Sequence, residues 1–292
     1  MKCYSCPRMC GAERIENKKS NGFCQMPYNA VIARAALHNW EEPPISGTKG
    51  SGAIFFSGCS LRCVFCQNYN ISHEGFGKPV STERFIDIIK ELENEGAHNI
   101  NLVNPTHFVS FIKEALTKYK PSVPVVYNTG GYDKASSIRM LDGLVDVYLP
   151  DLKYFSGEKS KRYSGASDYF QNASAAILEM RRQTGSDIIK NGLMKKGIII
   201  RHLILPKNTD DSFKILEWIR ENLGEDTYIS LMSQYTPCGK AADFKEINRK
   251  IVTLEYQRVI DRFFDLGFHN GFMQERTSAK TIFIPPFDLT GV

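Results

Sequence analysis

Three cysteines fall within eight residues, Cys59, Cys63 and Cys66, in the segment Phe-Ser-Gly-Cys-Ser-Leu-Arg-Cys-Val-Phe-Cys at residues 56–66. Three thiolates on one loop can grip three irons of a four-iron cluster and leave the fourth without a protein ligand. An open iron can bind a small molecule and pass it an electron. The same residues would also suit a zinc site short of one ligand, or a set of packed structural thiols. Zinc normally completes four ligands, so the cluster is the stronger reading.

A second group lies upstream. Cys3, Cys6, Cys10 and Cys24 supply four thiols, a complete tetrahedral set. Zinc and a second iron–sulfur cluster both satisfy it, and free or redox-active thiols are the remaining alternative. Cys238 is left over between Pro237 and Gly239 and reads as a plain loop cysteine.

Such ligands need elements to hold them. Short apolar runs rich in Ile, Val, Phe and Tyr at residues 53–56, 100–103, 123–127, 144–149, 198–205 and 228–232 read as buried strands. Helical periodicity lies between them. Phe85, Ile88, Ile89 and Leu92 form one apolar stripe after Ser81 as cap, and Val109, Ile112, Leu116 and Tyr119 form another that ends at Pro121. Leu216, Ile219 and Leu223 follow Asp211 and Ser212, and a late helix carries Val252, Tyr256, Val259, Phe263 and Leu266. Six strand–helix alternations predict an α/β fold of parallel strands joined by right-handed crossovers. Six units are fewer than the eight that close a barrel. The expected architecture is therefore a partial (βα)6 barrel, with a doubly wound sheet as the alternative. In either, ligands gather at the carboxyl ends of strands. Residues 1–45 break the rhythm and are expected to be a small cysteine-rich metal-binding lobe, leaving residues 46–292 as the barrel with a C-terminal helical extension.

Cys-x3-Cys-x2-Cys with an aromatic residue before the third cysteine, here Phe65, resembles the signature of the radical S-adenosylmethionine (SAM) superfamily. Further motifs are similar to those of glycyl-radical-enzyme activating enzymes: Tyr127 to Tyr132 (Tyr-Asn-Thr-Gly-Gly-Tyr), Asp151-Leu152-Lys153, Arg201-His202-Leu203 and residues 230–237. The chain resembles an uncharacterised branch akin to pyruvate formate-lyase activating enzyme, over roughly residues 52–237. The resemblance implies a [4Fe–4S] cluster whose open iron chelates the amino and carboxylate groups of SAM. It further implies a 5′-deoxyadenosyl radical, an electron donor such as flavodoxin or ferredoxin, and a glycyl radical protein as partner, with a small molecule or peptide as the alternative substrate. A third reading is a catalytically degenerate iron–sulfur protein.

The residues expected to contact SAM are Phe65 near adenine through its backbone, Asn104 and Thr106, Asn128 and Thr129, Asp151 and Lys153, Arg201 at the carboxylate, and Met232 and Gln234 at adenine or ribose. Two departures stand out. The superfamily's usual Gly-Gly-Glu is replaced by Asn104-Pro105-Thr106-His107, and Asn128 stands where the activating enzymes carry an aspartate that helps hold a monovalent cation. Arg201 lies inside an apolar run, where a cation must be paired or face a cavity. His202 beside it reads equally as a core histidine or a ligand.

Bulk properties narrow the setting. With 42% apolar residues in 292, a sizeable core needs no staples. No run of eighteen apolar residues suggests a membrane span, and the beginning of the chain lacks the apolar core of a signal peptide. A cytoplasmic protein is expected, where eight cysteines are metal ligands before they are disulfides. The net charge of +5 comes from interspersed signs, which argues against nucleic-acid binding.

Overall fold

A computed structural model describes residues 2–274 and 285–292. Its strands in chain order are β1 (Val31–His38), β2 (Ser51–Phe56), β3 (Lys78–Pro79), β4 (Ile100–Val103), β5 (Val125–Thr129), β6 (Val147–Pro150), β7 (Ile188–Lys190), β8 (Leu193–Leu203), β9 (Tyr228–Met232) and β10 (Gly271–Met273). The six expected parallel strands are β2, β4, β5, β6, β8 and β9, hydrogen-bonded in that order. Short β10 adds a seventh parallel member beside β9. The sheet stays open, so the partial barrel is the observed α/β architecture.

The outer margin differs from expectation. Val31–His38 pairs antiparallel with β2, although it falls inside the stretch read as a separate lobe. The sheet therefore begins well before residue 45, and the cysteine-bearing segment proper is residues 3–24. The free edge of β1 is covered by β3 and by the last residues: Ala35 N–H donates to the Thr290 carbonyl, Leu289 N–H to that of Ala33, and Arg34 pairs with Asp288 at 2.8 Å. An exposed strand edge would invite pairing with another chain.

The helices form where the apolar stripes put them. The main ones are α1 (Pro43–Ser46), α2 (Thr82–Asn94), α3 (Val109–Lys118), α4 (Ala135–Arg139), α5 (Gly157–Ser164), α6 (Tyr169–Thr184), α7 (Thr209–Leu223) and α8 (Thr253–Asp265). Ser81 caps α2 by accepting from the Arg84 amide at 3.2 Å. Phe85, Ile88, Ile89 and Leu92 are buried on its inner face. No helix of the described residues is long and apolar enough to cross a membrane.

Strand alternation sorts the two faces of the sheet. Val126, Val147, Leu149 and Ile199 pack with Ile45 of α1 inside the barrel. Two residues further along their strands, Asn128, Asp151 and Arg201 continue that inner face at its carboxyl end. Tyr127, Tyr148, Ile198 and Ile200 belong instead to the large core. At the strand ends, Gly131 (φ +84°) passes so close to the Asp151 carbonyl that a Cβ would overlap it. Only glycine suits both that approach and that backbone.

Candidate functional site

The cysteine loop leaves β2, all six of whose residues are buried. Gly58 (φ +79°) turns the chain against Met26 and His107, where a Cβ would collide. The loop is clamped at Val64, whose amide donates to the Tyr163 carbonyl at 2.9 Å and whose carbonyl accepts from Lys240 at 2.7 Å. Phe65 is buried against Tyr163 and Tyr235.

Cys59, Cys63 and Cys66 share one cavity of about 220 Å³ with Phe65, Asn104, Asn128, Asp151, Lys153, Arg201, Met232 and Gln234. Each sulfur has protein donors. Leu61 N–H lies 3.3 Å from Cys59 Sγ, Ser164 Oγ 3.0 Å from Cys63 Sγ, and Ser72 Oγ 3.2 Å from Cys66 Sγ. Such donors favour thiolate and tune a cluster's sulfurs. Burial opposes them: it pushes Cys63 up, and with the other two thiols it takes Cys66 to about 12. Three thiolates lining one cavity need positive charge among them, which iron would supply. Among the described residues no three histidine, cysteine or carboxylate side chains are arranged to hold a single metal ion. The shared cavity has room for something larger. The residues present thus fit a [4Fe–4S] cluster, which Cys59, Cys63 and Cys66 would hold.

The expected SAM residues divide in two. Asn104 (φ +59°) takes a left-handed conformation that asparagine tolerates. Its Nδ2 donates to the Gly58 carbonyl at 2.8 Å, so it braces the cluster loop while lining the cavity. Thr106 and Thr129 do not line it. Both are buried, hydrogen-bonded to each other at 3.0 Å, and Thr129 Oγ1 donates to buried Asp133 at 2.5 Å. Parity explains Thr129: next to Asn128 on a strand, it must point the other way. His202 is likewise a satisfied core histidine, bonded to the Leu152 carbonyl at 2.7 Å and to Ser212 Oγ at 2.8 Å.

Arg201 corrects a simpler expectation. Its guanidinium is already engaged by the chain itself: Nε donates to Asp151 Oδ1 at 2.8 Å, Nη2 to Asn128 Oδ1 at 2.6 Å and Nη1 to Glu41 Oε2 at 3.3 Å. Lys153 Nζ pairs with the other Asp151 oxygen. Burial works against the Asp151 charge, but Arg201 and Lys153 outweigh it and hold the carboxyl below its usual range. Burial likewise disfavours the Lys153 ammonium, yet Asp151 and Cys63 raise it overall. This ion-pair web fixes the strand ends beside the thiols.

Glu41 and Glu42 were not foreseen. Glu41 accepts from Asn101 Nδ2 at 3.0 Å and Asn128 Nδ2 at 3.2 Å as well as from Arg201. Both glutamates line a second cavity of about 370 Å³. It adjoins the first through Gln67, Asn68, Asn128, Arg201, Met232 and Gln234, which line both. Phe55 of β2 and Phe272 of β10 bring it lining from both sides of the open sheet. The only sequence signal was an acidic pair before Pro43-Pro44.

Upstream, Cys3, Cys6 and Cys24 are buried and Cys10 is exposed. Burial, with the other three thiols nearby, pushes Cys6 up to about 12. Arg8 ties this segment to the cluster loop: Nε donates to the Ser60 carbonyl and Nη2 to the Ser164 carbonyl, both at 2.8 Å.

Comparison with known proteins agrees with this geometry. The Radical SAM superfamily pattern matches residues 53–219. An uncharacterised protein of Methanocaldococcus jannaschii is 32% identical over 272 residues, covering 89% of this chain and 73% of the relative. A second uncharacterised protein of that organism is 24% identical over 279 residues, covering 88% and 77%. Among solved structures, the FeFe-hydrogenase maturase HydG from Carboxydothermus hydrogenoformans superposes with a TM-score of 0.50 at 11% identity, covering 80% of this chain and 56% of that one. Methylornithine synthase gives a TM-score of 0.48 at 15% identity, covering 73% and 61%. The chain spans less than two thirds of either structure's length, and the likeness to the maturase, at that identity, is one of fold. The superfamily pattern over more than half the chain, on a barrel that brings its three cysteines to one cavity, establishes that the chain belongs to the radical SAM superfamily, which implies a [4Fe–4S] cluster and SAM.

Proposed function

We propose that this protein cleaves SAM reductively and uses the resulting radical to abstract hydrogen from a substrate held in the second cavity. The observation that carries this reading is the union of two cavities, one walled by the three thiols and the other by Glu41 and Glu42. When bound, the cluster supplies one electron to break the sulfonium bond of SAM, giving methionine and a 5′-deoxyadenosyl radical. The chain's own residues do the rest. Phe65, Met232 and Gln234 offer adenosine an apolar and amide wall. Asp151 and Lys153 hold the polar end, and Arg201 keeps Asp151 in place. Tyr235 and Phe65, buried together, keep water from the cluster loop.

The similarity of Asn128-Thr129-Gly130 and Asp151-Leu152-Lys153 to the activating enzymes favours a second reading, in which a partner's glycine gives up the hydrogen. Anaerobically reconstituted protein with dithionite and SAM should release 5′-deoxyadenosine, slowly without substrate. Adding a glycyl radical protein should produce a doublet-split paramagnetic signal if the second reading holds. Absence of 5′-deoxyadenosine under every reducing condition would overturn both.

The four upstream thiols are not drawn together around one metal ion in this structure; they are proposed to close on zinc or a second cluster when it binds, and to form a lobe over the barrel mouth. So short a segment has little core of its own, so a bound metal would order it. Cys6→Ser should then release one zinc, or the iron of one cluster, and lower the thermal midpoint. It should also loosen the cluster loop, because Arg8 would lose its hold on Ser60 and Ser164. Unchanged metal content and midpoint would identify free thiols instead.

A further inference from the structure

Glu42 is the residue the architecture explains least. It sits at the N-cap of α1, yet its side chain makes no capping hydrogen bond. It is 8% exposed, and its Oε2 has no hydrogen-bond partner. Arg201, whose charge acts on Glu42, directs its donors to Asp151, Asn128 and Glu41. The Ser230 hydroxyl supports the Glu42 carboxylate but carries no charge. A buried carboxylate oxygen with neither partner nor solvent costs free energy. In a cavity wall, that cost is recovered when a ligand brings a donor.

Charge says which donor. Among the described residues the two joined cavities are lined by three carboxylates, Glu41, Glu42 and Asp151, against two cations, Arg201 and Lys153. Asp151 is shared between both cations and Glu41 is held by Arg201. Among the described residues Glu42 is the one of the three with no ion pair; burial raises its pKa, and an incoming cation would favour its charged form again. Glu42, Trp40 and His38 line the second cavity and not the cysteine-walled one. The amino group of SAM would be taken up, as a neutral amine, by the cluster on the resemblance given above, so it would not serve Glu42. Phe55, Phe272 and Trp40 supply apolar wall for a carbon chain.

We infer that the second cavity binds a substrate bearing a protonated amine or guanidinium, with Glu42 as its counter-ion. This deepens the proposed function, on which it rests for the identity of the first cavity. It names the chemical class of the substrate, a cationic small molecule or the side chain of a basic residue.

Binding tests it without any turnover. Cluster-loaded protein carrying Trp218→Phe leaves Trp40 as the sole tryptophan reporter. With SAM saturating, n-pentylamine, cadaverine and agmatine are titrated against pentanoate and pentanol. The amines should change Trp40 fluorescence saturably, and the controls should not. Glu42→Gln should weaken the amines by about tenfold or more, the loss of one charge-assisted contact. Glu42→Asp, which keeps the charge, should retain the preference for amines over pentanoate. Cluster absorbance and the thermal midpoint of each variant verify folding. Amines binding Glu42→Gln as tightly as the parent, pentanoate binding as well as the amines, no amine binding at all, or competition with SAM would each overturn the inference. The readout needs no reduced cluster, so its failure is separate from a failure to cleave SAM.

Discussion

Changing Cys59, Cys63 and Cys66 together to alanine should abolish 5′-deoxyadenosine formation and remove about four irons and four sulfides per chain. The expectation is all-or-none because, on the proposed reading, the three thiols would be the protein's hold on the cluster, and one electron from it would start every later step. Folding should survive. The loop is anchored by backbone contacts of Val64 with Tyr163 and Lys240 and by the buried Phe65, none of which uses a sulfur. The change also relieves the protein of three thiols that repel one another's ionised forms, the cause, after burial, of the elevated Cys66. Metal held by the four upstream cysteines should remain, so analysis of the variant counts the two sites separately. Iron content that does not fall would remove the cluster from this loop and the proposed chemistry with it.

The sequence carried the barrel because parallel strands buried on both faces read as continuous apolar runs. Residues 53–56, 100–103 and 228–232 coincide closely with β2, β4 and β9. It did not carry β1. Val-Ile-Ala-Arg-Ala-Ala-Leu-His has the small residues and the interrupting arginine of a helix as much as of a strand. Only pairing with β2 and with the distant Thr290 decides. At the site, residue type was legible and direction was not. Asn128 and Thr129 look equally suited to a ligand, but pleat parity sends one into the cavity and the other to Asp133. The same parity could have been applied to Arg201 and His202, since Ile199 and Arg201 share a face. Glu41 and Glu42 were beyond reach. Their importance comes from α1, a four-residue helix that carries Ile45 into the barrel's inner core and swings the preceding acids against Arg201.

Arg201→Ala should cost about 3–5 kcal/mol of stability, the range for breaking a buried ion pair by removing one partner. The loss exceeds that of an exposed pair because nothing replaces the guanidinium. Glu41 keeps only two asparagine donors, Asp151 keeps only Lys153, and both carboxylates stay in a site where burial already penalises them. The sign with pH follows from Asp151. Its folded carboxyl lies below the ordinary value of about 4, so its pairing stabilises the fold at any pH above that and is lost only as pH falls through the folded value. At pH 7 the full penalty should therefore show in a urea midpoint. Glu41→Gln in the Arg201→Ala background should return part of it, because it removes one of the stranded charges. A coupling of roughly 0.5–3 kcal/mol is usual for groups in one network. Cluster content should be nearly unchanged in both variants, since Arg201 bonds to none of the three thiols. SAM affinity should fall, through a displaced Asp151 and Lys153. A stability loss under about 1 kcal/mol, as for a surface pair, would mean that Arg201 is a ligand-binding group held loosely until SAM arrives, and that the web around it is not what sets the strand ends.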